Sequence, residues 1–128
     1  VLTLNHKDLV ELFRRMVFNI ASHNRDDHAK NFAFMLSDEG AWSLTPAYDL
    51  TCTPGIGSEH TMSVLGEGKE PSRDHCVQLA LQFGIKKIEA NVIFDEVNSA
   101  ISQWEDFAEL SGCTKQITVT VQKQLRQL

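Results

Sequence analysis

Cysteine is scarce in this chain of 128 residues, and the three that occur, Cys52, Cys76 and Cys113, lie far apart. Their number is odd and no pair has the C-x-x-C spacing. Both facts argue against a disulfide framework and against a zinc knuckle. We therefore expect a reducing, cytoplasmic setting.

The sequence also lacks an apolar run of membrane-spanning length and a charged leader followed by an apolar stretch, so we expect no membrane segment. Lysine and arginine number 12 against 17 aspartates and glutamates, and the formal net charge is −5. This acidic balance argues against a dominant surface for nucleic-acid phosphates. The hydrophobic share of 42% is ordinary for a globular domain. The first residue is Val rather than Met, which we interpret as the mark of a fragment.

Apolar spacing predicts the first elements. Residues 7–23 carry apolar side chains at three- and four-residue steps, which predicts an amphipathic helix, and Asn5 can cap it. Residues 31–36 and 41–44 read as two short strands. The turn between them, residues 37–40, ends in Gly40, which can take a positive φ. A β-hairpin is expected here.

The second half of the chain is predicted to be helical. Residues 51–71 are rich in Gly, Pro, Thr and Ser and predict a long irregular segment with one short strand at 61–65. Three helices are expected after it, at residues 73–83, 86–110 and 114–128. Ser72 fits the N-cap of the first of them and Gly84 its end. The predicted fold is mainly α, a helical bundle with one small β-hairpin.

Three side chains carry the strongest chemical signal. Asp26 and Asn31 have the spacing D-x-x-x-x-N, and Asp49 follows beyond the predicted hairpin. A carboxylate can accept the proton of an attacking hydroxyl, while an amide oxygen and a second carboxylate can hold Mg²⁺. The order of these residues is that of a kinase catalytic half. It indicates phosphoryl transfer, although Asp26 alone could equally belong to a solvated turn.

Neighbouring polar residues have other readings. His23 and His28 lie near two aspartates, but the H-E-x-x-H pattern of a zinc site is missing. We expect His28 to orient a neighbour or contact a nucleotide. Asp27 is expected to stabilise the loop, and Lys30 could add positive charge toward the nucleotide.

Two strings resemble a known family. Residues 24–32 contain D-D-H-x-K-N, and residues 44–50 contain P-x-Y-D-L. With the Phe-Asn pair at 18–19, they resemble the catalytic segment of the HipA-like serine/threonine kinases, the toxins of bacterial toxin–antitoxin pairs. The likeness continues more weakly into the C-terminal helices. It implies a protein-kinase-like C-terminal lobe.

The resemblance implies a role for each matching residue. Asp26 would be the catalytic base, and Asp49 would be the second metal ligand beside Asn31. The cofactors would be ATP and Mg²⁺. The residues expected to line the nucleotide are His28, Ala29, Lys30, Asn31, Tyr48 and Asp49.

The resemblance also implies partners. The family phosphorylates protein serine or threonine, with aminoacyl-tRNA synthetases among its targets, and so slows growth in a manner linked to persistence. A DNA-binding antitoxin usually restrains it. No nucleic-acid contact is assigned to this chain, because the predicted helix 73–83 is mostly apolar and rich in Gln.

The chain departs from the family pattern in one respect. No Gly-rich, phosphate-covering loop precedes Asp26, so residues 1–128 resemble the C-terminal domain alone, without the N-terminal lobe. We expect this fragment to be inactive by itself. Two alternatives stay open: a non-catalytic helical interaction module, and the lobe of a small-molecule phosphotransferase, since aminoglycoside-type enzymes use a similar D-x-x-x-x-N.

Overall fold

The structure, a computed structural model, describes residues 5–128.

The first helix is present where the apolar spacing predicts it. Helix α1 spans His6–Ala21, and the Asn5 side chain accepts a hydrogen bond from the backbone N–H of Lys7. This cap satisfies one of the amide groups left unpaired at a helix start. The chain leaves α1 through His23, whose φ of 57° turns it sharply toward the next segment.

The predicted hairpin is present but shorter than expected. Strands β1 (Phe34–Leu36) and β2 (Trp42–Leu44) pair antiparallel. Gly40 has the expected positive φ, 79°. Ala29–Asn31 is a 3₁₀ turn rather than the start of a strand. The hairpin brings the residues before β1 and those after β2 to the same end, which is where the predicted site residues lie.

The remaining helices follow a long irregular segment. Within the described residues they are α2 (Arg73–Gln82), α3 (Lys87–Ser102), α4 (Trp104–Leu110) and α5 (Lys115–Gln122). The caps of α2 are as predicted: Ser72 accepts from the amide of His75, and Gly84 has a φ of 80°.

The prediction of one helix over residues 86–110 is wrong, because the helix breaks at Gln103. The Ser99 carbonyl accepts from the Ser102 hydroxyl at 2.7 Å and from the Gln103 side-chain amide at 3.1 Å. The backbone N–H of Gln103 bonds to the carbonyl of Ala100 instead, a tighter turn than an α-helix makes. Two side chains thus occupy the Ser99 carbonyl, which would have accepted from the Gln103 backbone in a continuous α-helix.

Helix α5 also ends earlier than predicted, because the residues that follow Gln122 bond to other elements. The backbone N–H of Arg126 donates to the Ala21 carbonyl at 2.8 Å, and that of Leu128 donates to the Asn98 side chain at 3.0 Å. The chain's last residues are thereby tied to the end of α1 and to α3.

The core lies between α1, α2 and α3. Phe13 of α1 meets Phe94 of α3 edge to face, with ring centroids 6.0 Å apart, and the Arg73 guanidinium lies 4.4 Å from the centre of the Phe94 ring. The apolar residues of the predicted helix 86–110 are only partly buried, since Ile88, Val92 and Phe107 are exposed by 74%, 52% and 48%.

The strand predicted at residues 61–65 is also wrong. Only Val64 makes a bridge, an isolated one to Glu67. The backbone N–H groups of Thr61 and Met62 donate to the Asp27 carboxylate at 2.8 and 3.2 Å, so they are not free to form a ladder.

The fold class is as predicted: mainly α with one small antiparallel hairpin. None of the helices found in residues 5–128 is long and apolar enough to cross a bilayer.

Candidate active site

The loop after α1 is anchored by Asn24, whose side chain is almost wholly buried. Its amide nitrogen donates to the Asn19 side chain at 3.2 Å and to the Asp49 carbonyl at 3.3 Å. Its amide oxygen accepts from the Thr51 hydroxyl at 3.2 Å. One buried side chain therefore connects the helix end, the loop and the segment after the hairpin.

A short parallel bridge reinforces this connection. The N–H of Arg25 donates to the Thr53 carbonyl at 3.3 Å, and the N–H of Thr53 donates to the His23 carbonyl at 3.0 Å. His23 and Asp49 flank the bridge, and both have a positive φ, of 57° and 55°. Such backbone angles are uncommon outside glycine and concentrate at functional sites. The two segments that carry the predicted site residues are thus held side by side.

The side chain of Asp27 stabilises the loop after α1, as expected from the sequence. Its carboxylate is buried, accepts from two backbone amides of residues 61–62, and lies 3.0 Å from Nδ1 of His60. All of these partners come from the long irregular segment. Because a buried carboxylate must be fully hydrogen-bonded, this arrangement fixes the loop in one position.

Asp26, the next residue back, points outward. Its side chain is 55% exposed, and its Oδ1 lies 3.7 Å from Nε2 of His28. The Asn31 side-chain nitrogen donates to the Asp26 backbone carbonyl at 2.9 Å. That bond closes the D-x-x-x-x-N loop and leaves the amide oxygen of Asn31 available as a ligand.

The segment after the hairpin brings Tyr48 and Asp49 to the same place. The Tyr48 hydroxyl donates to the Lys30 carbonyl at 2.7 Å. Asn31, Tyr48 and Asp49 line one small cleft, together with three residues that reach it from α1 and the loop: Arg15, Asn19 and Asn24. Asp26 does not line this cleft but is joined to it through Asn31.

The oxygen groups of this cleft suit Mg²⁺. Asn31 offers an amide oxygen and Asp49 an exposed carboxylate, a combination that hard cations prefer. In the described part of the chain, no group of three or more His, Cys, Asp or Glu side chains could hold a metal. Two protein ligands nevertheless suffice for Mg²⁺, because it commonly takes the others from substrate phosphates and water.

Other predicted residues lie outside the cleft. Ala29 faces a separate apolar groove formed by α1, α2 and the residues around Met62. Lys30 contributes its carbonyl to Tyr48, while its side chain is exposed. His28 is half-buried beside Asp26. The structure therefore brings Asn31, Tyr48 and Asp49 together and leaves Ala29 on another surface.

Several supporting residues had no recognisable sequence signal. Arg25 is buried and donates to the Lys69 carbonyl at 2.9 Å and to Glu70 at 3.2 Å. Gly55 packs against Arg25, and His60 pairs with Asp27. These contacts join residues 30 to 45 positions apart, which a local pattern cannot predict.

Burial lowers the pKa of His23, and the neighbouring Arg25 guanidinium lowers it further. Both effects disfavour the protonated ring.

Comparison with known proteins identifies the family of the chain. A family model described as the HipA-like C-terminal domain matches residues 2–104. A segment of 58 residues is 40% identical to a protein of Sinorhizobium fredii named "Putative kinase Y4dM". That segment is 44% of this chain and 14% of the other protein, so the chain is similar to a small part of a much longer relative. Because the family model covers most of the sequence, the chain belongs to the HipA-like C-terminal domain family.

Proposed function

We propose that the full-length protein carrying this chain is an ATP-dependent kinase that phosphorylates serine or threonine of another protein. The chain would supply its catalytic C-terminal lobe. The observation that carries the proposal is the link through Asn31, which bonds to the Asp26 carbonyl at 2.9 Å and shares a cleft with Asp49. Family membership and the kinase-named relative support the same chemistry.

Each residue has a distinct role in this proposal. The exposed carboxylate of Asp26 orients the acceptor hydroxyl and takes its proton. Asn31 and Asp49 hold Mg²⁺, which when bound neutralises charge on the phosphate oxygens. His28 lies beside Asp26, with its Nε2 3.7 Å from Oδ1, and the Tyr48 hydroxyl fixes the loop at Lys30.

The test is phosphoryl transfer from radiolabelled ATP by the purified full-length protein. Asp26→Ala and Asp49→Ala should each abolish transfer, while Asp38→Ala, in the exposed hairpin turn, should leave it unchanged. A fall of less than about tenfold for a folded Asp26→Ala protein, roughly 1.4 kcal/mol of barrier, contradicts the assigned role.

The acceptor is identified in the same assay. Label recovered on phosphoserine or phosphothreonine supports a protein kinase. Label on a metabolite supports a small-molecule phosphotransferase, and no transfer at all supports a non-catalytic module.

We also propose, from the family alone, that the physiological partners are a protein substrate such as an aminoacyl-tRNA synthetase and a DNA-binding antitoxin. Growth arrest on expression, relieved by the Asp26→Ala change, is the expected phenotype. Unrelieved arrest would separate toxicity from phosphoryl transfer.

A further inference from the structure

Helix α1 contributes a buried charge to the cleft. Arg15 is 8% exposed and lines the cleft together with Asn31 and Asp49. Its Nε donates to Glu11 at 2.9 Å, and its Nη2 donates to the Thr45 carbonyl at 2.6 Å. Its Nη1 is buried and has no hydrogen-bond partner among the described residues. Glu11 pairs the charge, but a buried N–H group without a hydrogen-bond partner is costly, so the orphaned Nη1 calls for a functional explanation.

The hydrogen bond from Arg15 reaches the backbone at Thr45, where the chain leaves the hairpin. Thr45 ends the hairpin, where its N–H donates to the Ala33 carbonyl at 3.0 Å. Asp49 follows four residues later with its φ of 55°. The segment 45–49 is thus held at its start by Arg15 and at its end by Asn24, which bonds to the Asp49 carbonyl at 3.3 Å.

Arg15 is itself held in place by Glu11, a carboxylate that it shares with Arg14. The second carboxylate oxygen of Glu11 accepts from Arg14 at 2.9 Å, and Arg14 donates in turn to Glu96 of α3 at 2.9 and 3.2 Å. The network runs from α3 through α1 to the hairpin exit. Arg14 and Arg15 share Glu11, but only Arg15 reaches Thr45.

We propose that Arg15 is a positioning residue, which fixes the segment 45–49 and so sets how tightly Asp49 and Asn31 bind a divalent cation. It acts through the Thr45 carbonyl, which accepts from its Nη2 at 2.6 Å. The inference rests on the proposed function, since it takes the cation site to be the one between Asn31 and Asp49. A lysine cannot substitute, because a single ammonium lacks the planar fork that reaches Glu11 and Thr45 together.

The test compares Arg15→Lys with the wild type in the full-length protein. Mn²⁺ affinity is measured by electron paramagnetic resonance with a non-hydrolysable ATP analogue bound. Arg15→Lys should raise the Mn²⁺ dissociation constant about tenfold, the effect typical of losing an outer-shell support. The Mg²⁺ concentration for half-maximal transfer should rise with it, while the KM for ATP at saturating Mg²⁺ stays unchanged.

Arg14→Lys is the matched control. It changes the neighbouring residue and the same Glu11 partner but leaves the Thr45 contact intact, so the Mn²⁺ affinity should stay within about twofold of the wild type, well short of the outer-shell effect. A folded Arg15→Lys protein with wild-type Mn²⁺ affinity overturns the proposal, as does an equal loss in both variants.

A second variant covers the case in which Arg15→Lys does not fold. Glu11 is 36% exposed in its side chain, so Glu11→Gln is tolerable, and it weakens the contacts of both Arg14 and Arg15, of which only Arg15 lines the cleft. It should weaken Mn²⁺ binding beyond the Arg14→Lys control, and unchanged affinity overturns the proposal. If the wild type binds Mn²⁺ and transfers phosphate, and the Arg15 and Glu11 variants keep its Mn²⁺ affinity, only this inference is contradicted. If the wild type neither binds Mn²⁺ nor transfers phosphate, the proposed function itself is contradicted.

Discussion

Gly55 lies so close to Arg25 that a β-carbon added to the glycine would stand 2.6 Å from the β-carbon of Arg25. The same added atom would lie 2.7 Å from the carbonyl oxygen of Glu59, and Gly55 has a φ of 69°. Because Arg25 immediately precedes Asp26, the glycine is what allows the long irregular segment to pack against the D-x-x-x-x-N loop.

Gly55→Ala should therefore lower the free energy of unfolding by about 2–4 kcal/mol, from overpacking and from the left-handed backbone together. Gly57→Ala is the control, since Gly57 has the same φ of 69° but nothing within 4 Å of the added atom. It should cost only about 1 kcal/mol. Urea denaturation measures both, and equal losses would contradict the close contact as the cause.

Adjacent aspartates should behave oppositely on substitution. Asp27→Ala leaves the buried His60 ring and the Met62 amide without their acceptor and removes the shorter of two hydrogen bonds from the Thr61 amide, so we expect a loss of about 3 kcal/mol in unfolding free energy. Asp26→Ala removes an exposed carboxylate and should change that free energy by less than about 0.5 kcal/mol. A stability loss shared equally by the two variants would refute the division between a structural Asp27 and a chemical Asp26.

The lowered pKa of His23 predicts a pH effect on stability. The folded chain gives up the His23 proton below the ordinary pKa of 6.5. Between the folded pKa and 6.5, the unfolded state binds more protons, so stability rises with pH there and is lost as pH falls through that window. His23→Asn, which tolerates a positive φ, should flatten the slope. An NMR titration midpoint for His23 at or above 6.5 would contradict this.

Cysteine reactivity should follow burial. Burial raises the pKa of Cys76 to about 12, and its side chain is fully enclosed. At pH 8, iodoacetamide should label native Cys76 on the order of a thousandfold more slowly than the unfolded chain. Half-buried Cys113 is the internal comparison. Mass spectrometry of labelled peptides reports both, and rapid native labelling of Cys76 would contradict the packing of α2 on the core.

Elements with strong local signals could be predicted from the sequence. Asn5 and Ser72 mark the starts of α1 and α2 because each caps its own helix through nearby atoms. The hairpin followed from the turn at Gly40. Asp26, Asn31 and Asp49 were found because the chemistry demands those groups in that order, and their roles remain predictions.

Features that depend on distant contacts could not be predicted. Thr61 looked like part of a strand, but its N–H is taken by Asp27, 34 residues away. The helix break at Gln103 depends on which side chains capture one carbonyl. Nothing local in the sequence distinguishes Arg15 from the other polar residues of α1, and only the tertiary structure places it in the cleft.

A crystal structure of the full-length protein with Mg²⁺ and a non-hydrolysable ATP analogue tests the central claim most directly. The account predicts one cation bonded to the side-chain oxygens of both Asn31 and Asp49, with the Asp26 carboxylate open to an incoming hydroxyl. A nucleotide bound with its cation held by other residues, and with Asn31 and Asp49 apart, would contradict it.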